Sequence, residues 1–130
     1  DPVPTSLRLF GNSLLVTFLT GFPFPAGAAD VRRIDLETGA DSQFIGNLTT
    51  AIDVLSVSNG FCHSFYTLEI STNLAGNAPG RLRRFDSSTG APTLINNTLV
   101  SPTSMAIHPP SGDLLVTEIF PGRITRISNP

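Results

Sequence analysis

Apolar and polar residues alternate in short runs along the whole chain, and no stretch carries a helical period. "VRRID" (Val31 to Asp35) and "LRRFD" (Leu82 to Asp86) mix apolar or β-branched residues with polar ones over a short run, as a half-buried strand does. Turn signals separate the runs at Gly11-Asn12, Thr38-Gly39, Asn59-Gly60, Thr89-Gly90 and Ser111-Gly112-Asp113. The pattern predicts eleven strands. They are Ser6–Phe10, Leu14–Leu19, Val31–Asp35, Gln43–Leu48, Asp53–Val57, Ser64–Ile70, Arg81–Asp86, Pro92–Asn97, Ser104–His108, Asp113–Ile119 and Arg123–Ile127.

The runs also repeat. "LLVTFLT" (from Leu14) aligns with "FYTLEIS" (from Phe65) and "LLVTEIF" (from Leu114). Downstream, "VRRID" aligns with "LRRFD" and "ITRIS", and upstream "PTSLRL" aligns with "PTSMAI" and more loosely with "AIDVLSV". Phe18, Glu69 and Glu118 are therefore equivalent, and so are Arg33, Arg84 and Arg126. Four short strands in each unit of about 40–50 residues is the period of a β-propeller blade.

The expectation is an all-β chain, a partial β-propeller in one piece (1–130), with units 3–48, 49–99 and 100–130. It amounts to about two and three-quarter four-stranded blades, the third lacking its outermost strand. Propellers close with about four to eight blades, and a repeat unit cannot bury its apolar face alone. Completion of a six-bladed ring is expected from another copy of the chain or from a missing N-terminal half. Open head-to-tail association into fibres is the remaining option.

The runs "GFPFPAGAADVRRID", "AIDVLSVSNGFCHSFYTLEIS" and "PTSMAIHPPSGDLLVTEIFPGRITRIS" resemble the bacterial ScyD/ScyE-type propellers. These are relatives of the NHL and gluconolactonase-like six-bladed propellers. The resemblance covers nearly the whole chain and matches the C-terminal half of that family. It implies a propeller fold and export, and implies little about activity. The chain departs from the family where Phe18 replaces a usual acidic residue, and in "SNGFCHSF", where a plain turn is common.

Composition narrows the partners. The chain has 130 residues, 40% apolar and 14% charged, enough for a core and too little charge for disorder. All eight basic residues are arginines, scattered along the chain, and net charge is −2. No basic tract exists to follow phosphates, which argues against nucleic acid. No apolar run is long enough to span a membrane as a helix. The opening Asp-Pro, without an initiator Met, suits a processed or excised chain. The triplets at Asn47 and Asn96 fit the glycosylation acceptor pattern and lean the expectation toward a secreted, extracellular or periplasmic protein. Cys62 is alone, so it forms no disulfide within the chain and is expected to be a small buried apolar residue.

Candidate chemistry gathers on one face. The inserts "TGFPFPAGAAD" (Thr20 to Asp30) and "STNLAGNAP" (Ser71 to Pro79) follow the second strand of their units and share that face, where binding tends to reside. Prolines at 23 and 25 stiffen the first insert and direct Phe22 and Phe24 to opposite sides. The rings are expected to pack over neighbouring units; the alternative leaves one as a ligand or partner contact. Asp53, Glu69 and Glu118 are candidates for a calcium site in the channel mouth, with Asn73 or Asn77 adding oxygens. They are also candidates for a general acid and base. The preferred reading is structural, with Glu69 and Glu118 capping backbone N–H groups or pairing with Arg81 and Arg123. Arg33, Arg84 and Arg126 are expected to be architectural, and His63 and His108 to be turn or edge residues without metal spacing.

No complete catalytic constellation is visible. The preferred function is an exported non-catalytic propeller scaffold or binding module. The alternatives are a metal-dependent lactonase- or hydrolase-like enzyme and a structural subunit of an extracellular assembly. The small-molecule ligand, if there is one, is not named by the sequence.

Overall fold

A computed structural model describes residues 1–130. The chain is all-β, with eleven strands and no helix. The strands are β1 (Pro2–Phe10), β2 (Ser13–Thr20), β3 (Ala29–Asp35), β4 (Asp41–Leu48), β5 (Ala51–Asn59), β6 (Cys62–Glu69), β7 (Gly80–Phe85), β8 (Thr93–Leu99), β9 (Pro102–His108), β10 (Asp113–Glu118) and β11 (Arg123–Ile127). They form three sheets in chain order, β1–β4, β5–β8 and β9–β11, and every neighbouring pair is antiparallel.

All eleven predicted strands are present. The first strand of each unit starts two to four residues earlier than its sequence pattern suggests. The cause is a repeated bulge. Register shifts fall between Pro4 and Ser6 in β1, between Ala51 and Asp53 in β5, and opposite Thr117/Glu118 in β9. An extra residue there breaks the alternation without ending the pairing. The bulge also re-aims the next residue, which is Ser6, Asp53 or Ser104.

The sheets stack face to face. Along β6, Phe65 turns to the first sheet while Tyr66 and Leu68 turn to the third, as period-two geometry dictates. Leu15, Val31, Ile45, Leu48, Val54, Phe65 and Phe85 form the core between the first two sheets. Tyr66, Leu68, Leu82, Leu99, Met105, Leu114 and Val116 form the core between the second and third. Strand β5 lies against β1, β2 and β3, and β9 lies against β5 and β6, so the first strands of the sheets meet along one line.

Tight turns join the strands at one end. Between β3 and β4, the Asp35 carboxylate accepts the N–H groups of Glu37 and Thr38 at 2.9 and 2.8 Å. Gly39, at φ 74°, then donates to the Asp35 carbonyl at 2.8 Å; the left-handed backbone there favours glycine. The two backbone N–H groups hold the Asp35 carboxyl below its ordinary pKa.

Candidate functional site

The connections that follow β2, β4, β6, β8 and β10 share one end of the stack. Gly27 N–H donates to Thr49 Oγ1, Ile70 N–H to the Thr50 carbonyl, and Ile119 N–H to the Ser101 carbonyl. The long inserts therefore sit where the repeat placed them.

Glu69 and Glu118 build the same clamp twice. Glu69 ends β6 with a fully buried side chain. Its Oε1 accepts the Thr49 N–H at 2.6 Å and Arg81 Nη2 at 2.8 Å, while Oε2 accepts Arg81 Nε at 2.7 Å. Glu118 ends β10 and repeats the pattern. It accepts Val100 N–H at 2.6 Å, Arg123 Nε at 2.6 Å and Arg123 Nη2 at 3.2 Å, and the Thr125 hydroxyl as well. Each carboxylate thus binds the link between two sheets to the arginine that starts the next strand. The Arg123 hydrogen bonds, helped by Thr125 and Val100, pull the Glu118 pKa down from 4.5 to about 2. Glu118 has no proton to donate at neutral pH.

Phe18 holds the corresponding position in β2, and its partner on β3 is Asp30 in place of an arginine. The substitution has a counterpart in the backbone. Thr49 and Val100 lie two residues before Ala51 and Pro102, which pair with Glu69 and Glu118; Pro2 lies two before Pro4, which pairs with Phe18. Proline has no N–H to donate, so a carboxylate here would lack that partner.

Asp53 is nearly inaccessible and does not join the glutamates. Its carboxylate accepts Arg8 Nη2 at 2.8 and 3.1 Å, Met105 N–H at 2.9 Å and its neighbour Val54 N–H at 2.9 Å. Arg8 also donates to the carbonyls of Val54 and Met105. The candidate calcium set of Asp53, Glu69 and Glu118 is therefore not assembled. No three His, Cys, Asp or Glu side chains come together as a metal site, and the carboxylate oxygens are taken by guanidinium and N–H groups. Asn73 Oδ1 is occupied, accepting Gly76 N–H at 3.0 Å, and the Asn77 backbone sits in a turn at φ 54°.

Phe22 and Phe24 do not point to opposite sides. Phe24 N–H donates to the Gly21 carbonyl at 3.0 Å, so the segment is a turn and not an extended strut. The rings meet edge to face, 6.1 Å between centroids. Phe22 is 83% exposed and Phe24 is half-buried, so neither covers a neighbouring sheet as a core residue does.

Among the repeated arginines, Arg33 donates to Ser13 at 2.9 Å and Arg126 to Asp113 at 2.6 Å, each within its own sheet. Arg84 crosses to the third sheet's tail and donates to the Pro130 carbonyl at 3.1 Å, as does the Tyr66 hydroxyl. His63 lies 3.3 Å from Ser56 Oγ with its ring edge-on to Phe10, and His108 lies 2.8 Å from Ser111 Oγ. Cys62 is exposed, against the expectation of burial, because it opens β6 at the turn end. Asn47 is exposed at φ 56°; Asn96 is half-buried, and its Oδ1 accepts Thr98 N–H and hydroxyl.

Arg8 is a residue that sequence reasoning missed. It is the sole charged residue of β1, in a register where β5 and β9 carry Leu55 and Ala106. That break in an otherwise apolar register was the available signal.

The two outer faces of the stack complete the picture. Leu7 pairs with Val16, as Val54 pairs with Thr67 and Met105 with Val116. Val54 and Met105 are core residues at 0% and 2% exposure, whereas Leu7 is 64% exposed. At the other end, Ile124 occupies the register of Val31 and Leu82. Those two are wholly buried and Ile124 is 69% exposed. No protein-family model matches the chain, and no curated protein matches it significantly.

Proposed function

We propose that the chain is an exported, non-catalytic β-propeller module of the ScyD/ScyE type that assembles through its two outer sheet faces. One observation carries the reading: Leu7 and Ile124 are exposed at registers whose repeats are buried in the core. The first sheet presents the face that a preceding sheet covers elsewhere in the stack. The third sheet presents the face that a following sheet covers. Faces of this kind fit one another because the chain already makes the same contact twice. Burying each exposed aliphatic side chain would contribute about 1.5–3 kcal/mol, a strong drive to associate.

Support for a non-catalytic role comes from the carboxylates. The three acidic groups that sequence reasoning put forward for acid–base work are each engaged in holding backbone and arginine together. The sequons at Asn47 and Asn96 support export.

Native mass spectrometry across a dilution series tests the proposal. Assembly that falls apart on dilution, and earlier in Leu7→Arg or Ile124→Arg, is the expected result. A wild-type chain that stays monomeric at all concentrations while melting cooperatively would overturn it.

A further inference from the structure

At the outer edge of the first two sheets lies a cavity of about 330 Å³, between β4 and the turn joining β7 to β8. Gln43, Asn47, Arg83, Ser88 and Thr89 supply polar groups to it, and Phe44 and Phe85 supply apolar wall. Its size is at the small end of ligand-binding cavities.

Arg83 is the unusual member. It is 8% exposed, yet its needs are met by the protein only in part. Nη2 donates to the Asn47 carbonyl at 3.2 Å and lies 3.2 Å from Glu69 Oε2. Nε is buried and has no hydrogen-bond partner. A guanidinium carries five N–H donors, and leaving a buried one unmet is costly. Its charge is matched only in part, by Glu69 and by the Phe85 ring, whose centroid lies 5.6 Å from Cζ. Glu69 is already engaged by both Nε and Nη2 of Arg81, so two guanidinium groups share one carboxylate. Burial, with the Arg81 charge beside it, pulls the Arg83 pKa below its ordinary value. The counterpart on the first sheet shows what a satisfied arginine looks like there: Arg32 has two carboxylates, Asp41 at 2.7 Å and Asp30 at 3.3 Å.

We infer that this cavity binds a small hydroxylated monocarboxylate whose carboxylate meets Arg83. A single negative charge balances the one unmatched guanidinium; a dianion would exceed it. The planar fork of a guanidinium suits a carboxylate. Gln43, Ser88 and Thr89 provide donors and acceptors around that anchor for hydroxyl groups. Gly46 leaves room for the Gln43 amide: a Cβ there would stand 2.1 Å from Gln43 Nε2 and displace it.

The test is amide chemical-shift titration of the folded chain with sodium acetate, sodium glucuronate, glucose and sodium chloride at matched ionic strength. Saturable shifts at Gly46, Asn47, Thr89 and Gly90 are expected with both carboxylates, stronger with glucuronate, and absent with glucose and chloride. Arg83→Met should weaken binding at least about tenfold. Should that variant fail to fold, Ser88→Phe decides, because it blocks the cavity from a turn outside the strands. Equal shifts with chloride, no shifts with either carboxylate, tighter binding of acetate than of glucuronate, or undiminished binding in Ser88→Phe would each overturn the inference.

Discussion

Arg8 Nη2 stands 2.8 Å from Asp53 Oδ2, and the same oxygen accepts the Met105 N–H at 2.9 Å. One ion pair therefore ties together the first strands of all three sheets. Asp53→Ala strips two buried N–H groups and a guanidinium of their acceptor. The expected loss is about 3 kcal/mol, at the low end for a broken buried pair because the Arg8 side chain is 36% exposed and water takes over part of its needs. Urea denaturation measures it. A loss below about 0.5 kcal/mol, the size typical of a surface change, would mean the pair is not a tie between sheets.

Acid should loosen the β8–β9 link. The folded-state pKa of Glu118 lies near 2, below its ordinary 4.5. A depressed carboxylate contributes stability that is fully present above the unfolded pKa and lost as pH falls through the folded one. The Glu118 contribution is therefore intact above about pH 4.5 and fades toward pH 2. Melting temperature against pH should fall across that window, and Glu118→Gln should flatten the fall. Asp113, held down by Arg126, adds to the same limb and leaves a residual slope in the variant.

Gly80→Ala should be poorly tolerated. A Cβ at this position would come within 2.5 Å of the Pro102 ring and 2.7 Å of the Glu69 carbonyl, neither of which can swing aside. Overpacking of this kind costs about 1–3 kcal/mol. Gly11→Ala is the control for glycine loss in general, since its added Cβ meets no atom within 4 Å; it carries only the strain of its positive φ. Equal destabilisation of the two variants would show that the close approach to Pro102 is immaterial.

Cys62 is exposed at the start of β6. A water-soluble thiol reagent should label it in the native chain without denaturant, at a rate near that of a free thiol. Labelling that waits for unfolding would place the side chain inside an interface instead.

The strand count and the repeat were legible because turn residues follow β1, β3, β5, β7 and β9 and the same runs recur in each unit. The bulges were not, since Thr5, Ile52 and Thr103 include no glycine or other turn residue to mark them, and only the pairing reveals them. The Glu69–Arg81 and Glu118–Arg123 pairs were among the readings the sequence offered, because the two residues flank one loop. The pairing of Phe22 with Phe24 was missed because the two prolines suggested an extended strut, whereas a hydrogen bond from Phe24 to Gly21 closes a turn. Arg83 escaped notice because "LRRFD" sets two arginines side by side and the repeat singled out Arg84, the equivalent of Arg33 and Arg126. Structure alone separates Arg84, which reaches Pro130, from Arg83, which is buried against Asn47.

The glutamate clamps have a practical consequence for changing the molecule. Glu69 with Arg81, and Glu118 with Arg123, fasten the two ends of the intervening loop at its base. The hairpin stays shut whatever length of chain is spliced above it, since loop closure grows only slowly with added residues. Foreign peptides grafted between Ser71 and Pro79 should leave the strands in register. The corresponding connection from Gly21 to Ala28 has no such fastener, and grafts there should fray β2 and β3 first.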